Sequence, residues 1–213
     1  MKLIPVAHEG WMFILPLGIL GLVLVLIPSG WVRAAGIVFL VLAAFCLFFF
    51  RDPERKVVVD PRFIIGPADG RVLDVVPCDE GPFKGGHLVR IFLSVFNVHI
   101  QRAPIKGRVE TVTYKKGRFL DARDPRAHVE NEQNSVLLSG PQGKMIVTQI
   151  AGLIARRIVC WVKEGDELKQ GDRYGLIRFG SQVDLVLPAT ANVRVAVGEK
   201  IVGGETVIAE WNQ

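Results

Sequence analysis

Two uncharged apolar runs open the chain, at residues 11–27 and 34–50, separated by Pro28-Ser29-Gly30 and Trp31-Val32-Arg33. Each run has 17 residues. That is about 25 Å as an α-helix, slightly less than the roughly 30 Å hydrocarbon core of a bilayer. In the first fifty residues only Lys2, Glu9 and Arg33 carry charge. The pattern predicts a membrane-associated helical hairpin over residues 1–55, spanning the bilayer or re-entrant in one leaflet. Pro16 is tolerated in a membrane helix. Trp11 and Trp31 suit the membrane–water interface. Arg51, Arg55, Lys56 and Arg62 follow the second run, whereas Arg33 stands alone in the link. The positive-inside rule therefore puts both ends, and the domain that follows, on the cytoplasmic side. A cleaved leader ending near Val32-Arg33-Ala34 is the competing reading, and it would still leave the second run as an anchor.

After Phe50 the period changes. Short stretches rich in Val, Ile, Leu and aromatics predict strands at 71–76, 88–96, 108–114, 144–150, 156–162, 183–187, 192–197 and 206–209. Turn pairs such as Asp69-Gly70, Glu80-Gly81, Gly85-Gly86, Lys106-Gly107, Gly171-Asp172 and Gly203-Gly204 separate them. The fold class is mainly β, as one domain over 56–213 with a helical turn near 121–127. Residues 162–172 and 197–205 share a V-x-x-G-[DE]-x-[ILV]-x-x-G rhythm, with one residue dropped in the second. That rhythm is similar to lipoyl- and biotinyl-carrier sandwiches and implies two interlocking halves. A carrier also needs a lysine in a motif such as Met-Lys-Met, which this sequence lacks.

The net charge of +5 suits an anionic membrane surface. No run of Lys and Arg with interleaved aromatics supports nucleic-acid binding. Cys46, Cys78 and Cys160 form no C-x-x-C pair, which points to a reduced compartment. No histidine spacing suggests a metal, and neither G-x-x-x-x-G-K-[ST] nor G-x-G-x-x-G occurs.

Three residues offer chemistry. Ser181 follows Gly180 in Arg178-Phe179-Gly180-Ser181-Gln182. His99 closes the Phe96-Asn97-Val98-His99 end of an apolar strand. Asp69 sits in Gly66-Pro67-Ala68-Asp69-Gly70. An acid, an imidazole and a hydroxyl can make an activated nucleophile. Each also has a plain structural reading: Gly-Ser and Asp-Gly as turns, His99 as a strand-end or core histidine. Arg102, Arg123, Arg126, Arg156 and Arg157 are candidates to meet phosphate or carboxylate, or else form a solvated face.

In order along the chain come Pro67-Ala68-Asp69-Gly70, Asn97-Val98-His99-Ile100-Gln101-Arg102-Ala103-Pro104, Glu130-Asn131-Glu132-Gln133-Asn134 and Phe179-Gly180-Ser181. Together with the apolar hairpin they resemble the phosphatidylserine decarboxylases in their short form, with the archaetidylserine decarboxylases as close relatives. The resemblance covers essentially the whole chain. It implies a proenzyme that cuts itself between Gly180 and Ser181, leaving chains 1–180 and 181–213 as a heterodimer. An exposed sheet edge would allow further dimerisation. It implies that Ser181 becomes a covalent pyruvoyl group and that Asp69 and His99 drive the cut, with no pyridoxal phosphate and no metal. The expected reaction converts phosphatidylserine to phosphatidylethanolamine and carbon dioxide, through a Schiff base to the pyruvoyl group.

In the implied cleavage, Ser181 Oγ attacks the Gly180 carbonyl, with His99 taking its proton, and an ester forms as the peptide C–N bond breaks. Elimination leaves dehydroalanine; tautomerisation and hydrolysis release ammonia and leave the ketone. Many long-form members have Leu-Gly-Ser-Thr where this chain has Phe-Gly-Ser-Gln, and a second histidine where it has Phe96. The residues by themselves leave two alternatives open: a membrane-anchored serine hydrolase using the same three side chains, and a non-catalytic membrane-tethered adaptor.

Overall fold

The structure is a computed structural model and describes residues 5–79, 81–153, 157–179 and 181–212. The chain divides into two compact units, one ending at Glu54 and the other beginning at Arg55. In the first, α1 (His8–Leu26) and α2 (Gly30–Phe49) form a hairpin. Both helices begin before the uncharged runs and end one residue short of them. Glu9 enters the first turn of α1, where the helix dipole favours a carboxylate. Arg33 is carried inside α2, and its Nε donates to the Val25 carbonyl at 3.3 Å. That carbonyl is in the last turn of α1, where no intrahelical donor remains for it. Gly21 and Gly36 let the helices approach. A Cβ on Gly21 would lie 3.0 Å from the Gly36 carbonyl oxygen, and one on Gly36 would lie 2.9 Å from that of Gly21. Met12, Leu15, Ile19, Leu22, Val38 and Val41 are exposed on the outside. Both helices are long and apolar enough to cross a membrane, and such a surface suits lipid better than water.

The second unit is mainly β. Its elements are β1 (Phe63–Ile65), β2 (Gly70–Pro77), β3 (His87–Leu93), β4 (Ile100–Arg102), β5 (Gly107–Lys115), α3 (Ala127–Glu130), β6 (Gln133–Gly140) and β7 (Gly143–Ala151). These are followed by β8 (Ile158–Cys160), β9 (Glu167–Leu168), β10 (Arg173–Ile177), β11 (Ser181–Leu187), β12 (Ala191–Val193), β13 (Lys200–Ile201) and β14 (Val207–Trp211). One sheet has eight strands, ordered β13-β2-β3-β11-β7-β6-β5-β9, and two have three, β1-β14-β12 and β4-β10-β8. Alternating residues of the large sheet face the core, among them Val89, Ile91, Leu93, Val147, Val183, Leu185 and Leu187.

The two look-alike stretches hold equivalent places. Each supplies a two-residue strand to one edge of the large sheet: β9 pairs with β5 from Gly107, and β13 pairs with β2 from Gly70. Gly165 N–H donates to Val109 O and Gly198 N–H to Val72 O, both at 2.8 Å. The strands they meet begin alike, with Gly70-Arg71-Val72 and Gly107-Arg108-Val109. The preceding turns bond reciprocally: Ile65 N–H to Pro104 O at 3.0 Å, and Arg102 N–H to Pro67 O at 2.8 Å. The interlocking halves expected from the repeat are thus present in the backbone bonding.

Several elements depart from the sequence reading, and β1, β4, β9, β10 and β13, like β6, have no counterpart among the expected strands. The strand expected to run to Phe96 ends at Leu93. Asn97 Oδ1 accepts both the Ser94 N–H, at 2.9 Å, and the Ser94 hydroxyl, at 2.8 Å. This side chain satisfies the backbone locally, so the chain turns rather than extending the ladder. β6 nonetheless lies inside the large sheet with Asn134, Val136 and Leu138 inward. Its inward row includes an amide, which hides the apolar alternation. The expected helical turn is α3, a few residues later, and of the described residues in the expected 156–162 strand only Ile158–Cys160 is regular.

Candidate active site

Ser181 begins β11, a central strand paired on both sides, opposite Leu93 of β3 and Ala151 of β7. It shares the inward face with Val183 and Leu185 and is fully buried. Its Oγ makes no hydrogen bond with any described residue, His99 included. An uncompensated buried hydroxyl costs about 1–3 kcal/mol, and a catalytic role is one of the reasons such a group is retained. Two residues upstream, Phe179 has φ +57°, the one non-glycine residue with positive φ among the described residues. Left-handed backbone strains an L-residue by about 1–2 kcal/mol. The strain therefore sits beside the expected cut. Gly180 itself lies outside the described residues, as does Arg156.

His99 lies between the Ser94–Asn97 turn and β4 and is fully buried. Its Nδ1 is 3.0 Å from the Asn97 carbonyl oxygen. A carbonyl can only accept, so Nδ1 carries a proton; in the neutral tautomer that leaves the lone pair on Nε2, the atom a base would use. The His99 carbonyl accepts the Ile177 N–H at 3.2 Å. The β4–β10 ladder thus ties the histidine to the chain four residues before Ser181.

Asp69 accepts two hydrogen bonds from Arg55 Nη2, at 2.9 and 2.8 Å, and one from the Gly203 N–H at 2.9 Å. In the matching turn of the other half, Lys106 stands where Asp69 does. The turn therefore does not itself demand a carboxylate. The Arg102 N–H to Pro67 O bond ties the Asp69 turn to β4, three residues past His99.

A cavity of about 350 Å³ opens beside the head of β11, lined by Phe92, Leu93, Ser94, Val95, Asp121, Ala122, Arg123, Gly152 and Leu153. Leu93 is the strand partner of Ser181, and Gly152 follows its other partner, Ala151. Arg123 brings a guanidinium to the wall and pairs with Asp121 at 2.7 Å. Arg102 is buried and donates to Gly171 O, Arg126 pairs with Asp124, and Arg157 is exposed.

The sequence reading gave no role to two groups near Ser181, Asn131 within Glu130-Asn131-Glu132-Gln133-Asn134 and Asp184. Asn131 is fully buried; its Nδ2 donates to Leu120 O and Ala151 O, and its Oδ1 accepts the Leu120 N–H. It thereby fastens the loop carrying Asp121–Arg123 to the residue opposite Ser181. Asp184, on the opposite face of β11 from Ser181, is buried, and burial pushes its carboxyl up to about 7. Gln182 donates to it, and Arg90, its β3 neighbour, is bonded to Asp74. A lone acid inside the apolar run 183–187 was the available signal.

A buried serine hydroxyl at the head of a central strand, left-handed backbone two residues before it and a buried histidine whose carbonyl is bonded to the same segment define a mainly β protein with a candidate nucleophile in its core. The family model described as phosphatidylserine decarboxylase matches residues 42–209. The chain is also 47% identical, over 96% of its length and 95% of the relative's, to a phosphatidylserine decarboxylase proenzyme of Geobacter sulfurreducens. The chain belongs to the phosphatidylserine decarboxylase family.

Proposed function

We propose that this chain is a self-processing, pyruvoyl-dependent carboxy-lyase that converts phosphatidylserine to phosphatidylethanolamine and carbon dioxide. Its family membership supports the reaction. The observation that carries the site assignment is the buried Ser181 hydroxyl without a partner, on a strand that borders a cavity. In the cut, His99 Nε2 removes the Ser181 Oγ proton while the Asn97 carbonyl holds Nδ1–H. Asp69 stabilises the imidazolium from its turn beside β4. Release of the left-handed Phe179 conformation favours departure from the uncut state.

Residues 181–213 carry β11–β14, and β11 is held between β3 and β7. The two products, 1–180 and 181–213, therefore stay associated, and the new terminus stays where Ser181 was. The pyruvoyl carbonyl supplies an electron sink for decarboxylating an amine-bearing substrate. Arg123 is placed to meet the phosphate or carboxylate of the headgroup. The apolar hairpin over 1–55 brings the domain over 56–213 to the membrane, on its cytoplasmic side.

The test is intact-mass spectrometry of the purified protein beside Ser181→Ala. Wild type should give two chains broken after Gly180, the shorter beginning with a ketone, and Ser181→Ala one full-length chain. A folded wild type that stays uncut would return the reading to a serine hydrolase or an adaptor.

A further inference from the structure

Asn134, singled out within Glu130-Asn131-Glu132-Gln133-Asn134, begins a chain of buried amides that ends on His99. Asn134 Nδ2 donates to Gln149 Oε1 at 3.2 Å. Gln149 Nε2 donates to Gln101 Oε1 at 2.9 Å and to Val159 O at 3.2 Å. Gln101 Nε2 donates to the His99 carbonyl at 2.8 Å. Asn134 is 4% exposed, and Gln149, Gln101 and His99 are 0% exposed. All the bonds run in one direction, so each polarises the next.

The chain crosses between sheets. Asn134 on β6 and Gln149 on β7 are register partners in the eight-stranded sheet that holds Ser181. Gln101 lies on β4, in the three-stranded sheet that follows His99. The nucleophile therefore stands in one sheet and its base directly ahead of the first residue of a strand in another, and apolar packing by itself leaves the relative offset of the two sheets soft. Directional amide bonds set that offset. The backbone makes room for them: a Cβ on Gly175 would lie 2.6 Å from Gln149 Nε2 and 2.5 Å from Val159 O. The same His99 carbonyl also accepts the Ile177 N–H of the strand leading to the cut. Gln101 thus acts on the atom that joins His99 to the scissile segment.

We propose that Gln101, Gln149 and Asn134 are positioning residues for His99: they set it against Ser181 by fixing one sheet on the other. The inference rests on the self-processing reading given above. A small misplacement of a base from its target lowers the rate sharply.

The experiment follows conversion of full-length proenzyme after cell-free synthesis, with hydroxylamine present to open the ester once formed. Gln101→Met and Gln149→Met remove the bonds at nearly constant shape, and each is made with His99 intact and with His99→Ala. With His99 intact, each should slow conversion on the order of tenfold or more. In the His99→Ala chain, neither should slow the residual conversion further. Equal slowing in both backgrounds would make the chain merely structural and overturn the proposal, and so would conversion at the wild-type rate with His99 intact. If circular dichroism shows that the methionine variants do not fold, Asn134→Ser is followed in the same two backgrounds: slowing only with His99 intact supports the proposal, and equal slowing or none overturns it. Normal conversion of His99→Ala alone would instead assign the base elsewhere and remove the premise of the proposal, whereas a folded wild-type chain that stays uncut would refute the self-processing reading.

Discussion

Asp184→Asn should stabilise the uncut protein at alkaline pH and lose that advantage in acid. Asp184 is 5% exposed, and burial raises its carboxyl from 3.8 to about 7. Between those values the folded state keeps a proton that the unfolded chain has lost. Stability therefore falls as pH rises through that window and levels off above about 7. A gap of about three pH units at about 1.4 kcal/mol each amounts to about 4 kcal/mol. Asparagine keeps the shape and the oxygen that accepts from Gln182 but cannot ionise. Its amide hydrogens lack an assigned acceptor, which costs about 1 kcal/mol. The net gain at pH 8 is then about 3 kcal/mol, or roughly 6–12 °C in Tm for a chain of this size. The assay is thermal unfolding from pH 4 to 8.5 of Ser181→Ala with and without Asp184→Asn, which holds both proteins as one chain. The wild-type acid at 184 should be the equal or the better residue near pH 4. A difference in Tm that does not change with pH would refute the reasoning, as would a larger advantage for asparagine in acid.

Three further outcomes are expected. Phe179→Gly relieves a left-handed strain of about 1–2 kcal/mol and should slow self-cleavage up to about tenfold; a rate at or above wild type, followed on gels after cell-free synthesis, would remove strain from the mechanism. His99→Ala should lower the cleavage rate by about 10²- to 10⁴-fold, the usual worth of a positioned base; unchanged processing would assign the base elsewhere. Deleting residues 1–50 should abolish flotation with anionic vesicles while leaving the β-type circular dichroism spectrum, and flotation at the full-length level would refute the anchor.

The sequence carried the architecture where the signal was local. The two uncharged runs demanded helices because a stretch of that length without charge has no other stable place for its side chains. The V-x-x-G-[DE] repeat exposed the interlocking halves because both copies must turn at glycines with positive φ, Gly165 and Gly198. β6 escaped because its inward row begins with Asn134, a polar side chain whose burial makes sense only opposite Gln149. The end of β3 escaped because the Asn97 side chain competes with the ladder, a choice that strand propensity does not register.

At the site, Asp69, His99 and Ser181 were legible as residue types in a family order, without their surroundings. The Nδ1 tautomer of His99 follows from the Asn97 carbonyl two residues away, once the turn is known. Asp69 reads as a turn residue until the other half shows Lys106 in the same turn. By itself the sequence determined the apolar hairpin, the mainly β domain and which groups are candidates for chemistry, since these depend on local period and residue identity. Tertiary structure alone decided that Gln101 and Gln149, 48 residues apart, meet across two sheets, and that Asp184 is shut away from water. Those facts depend on how distant strands stack, and no periodicity within one strand records what lies on the sheet opposite.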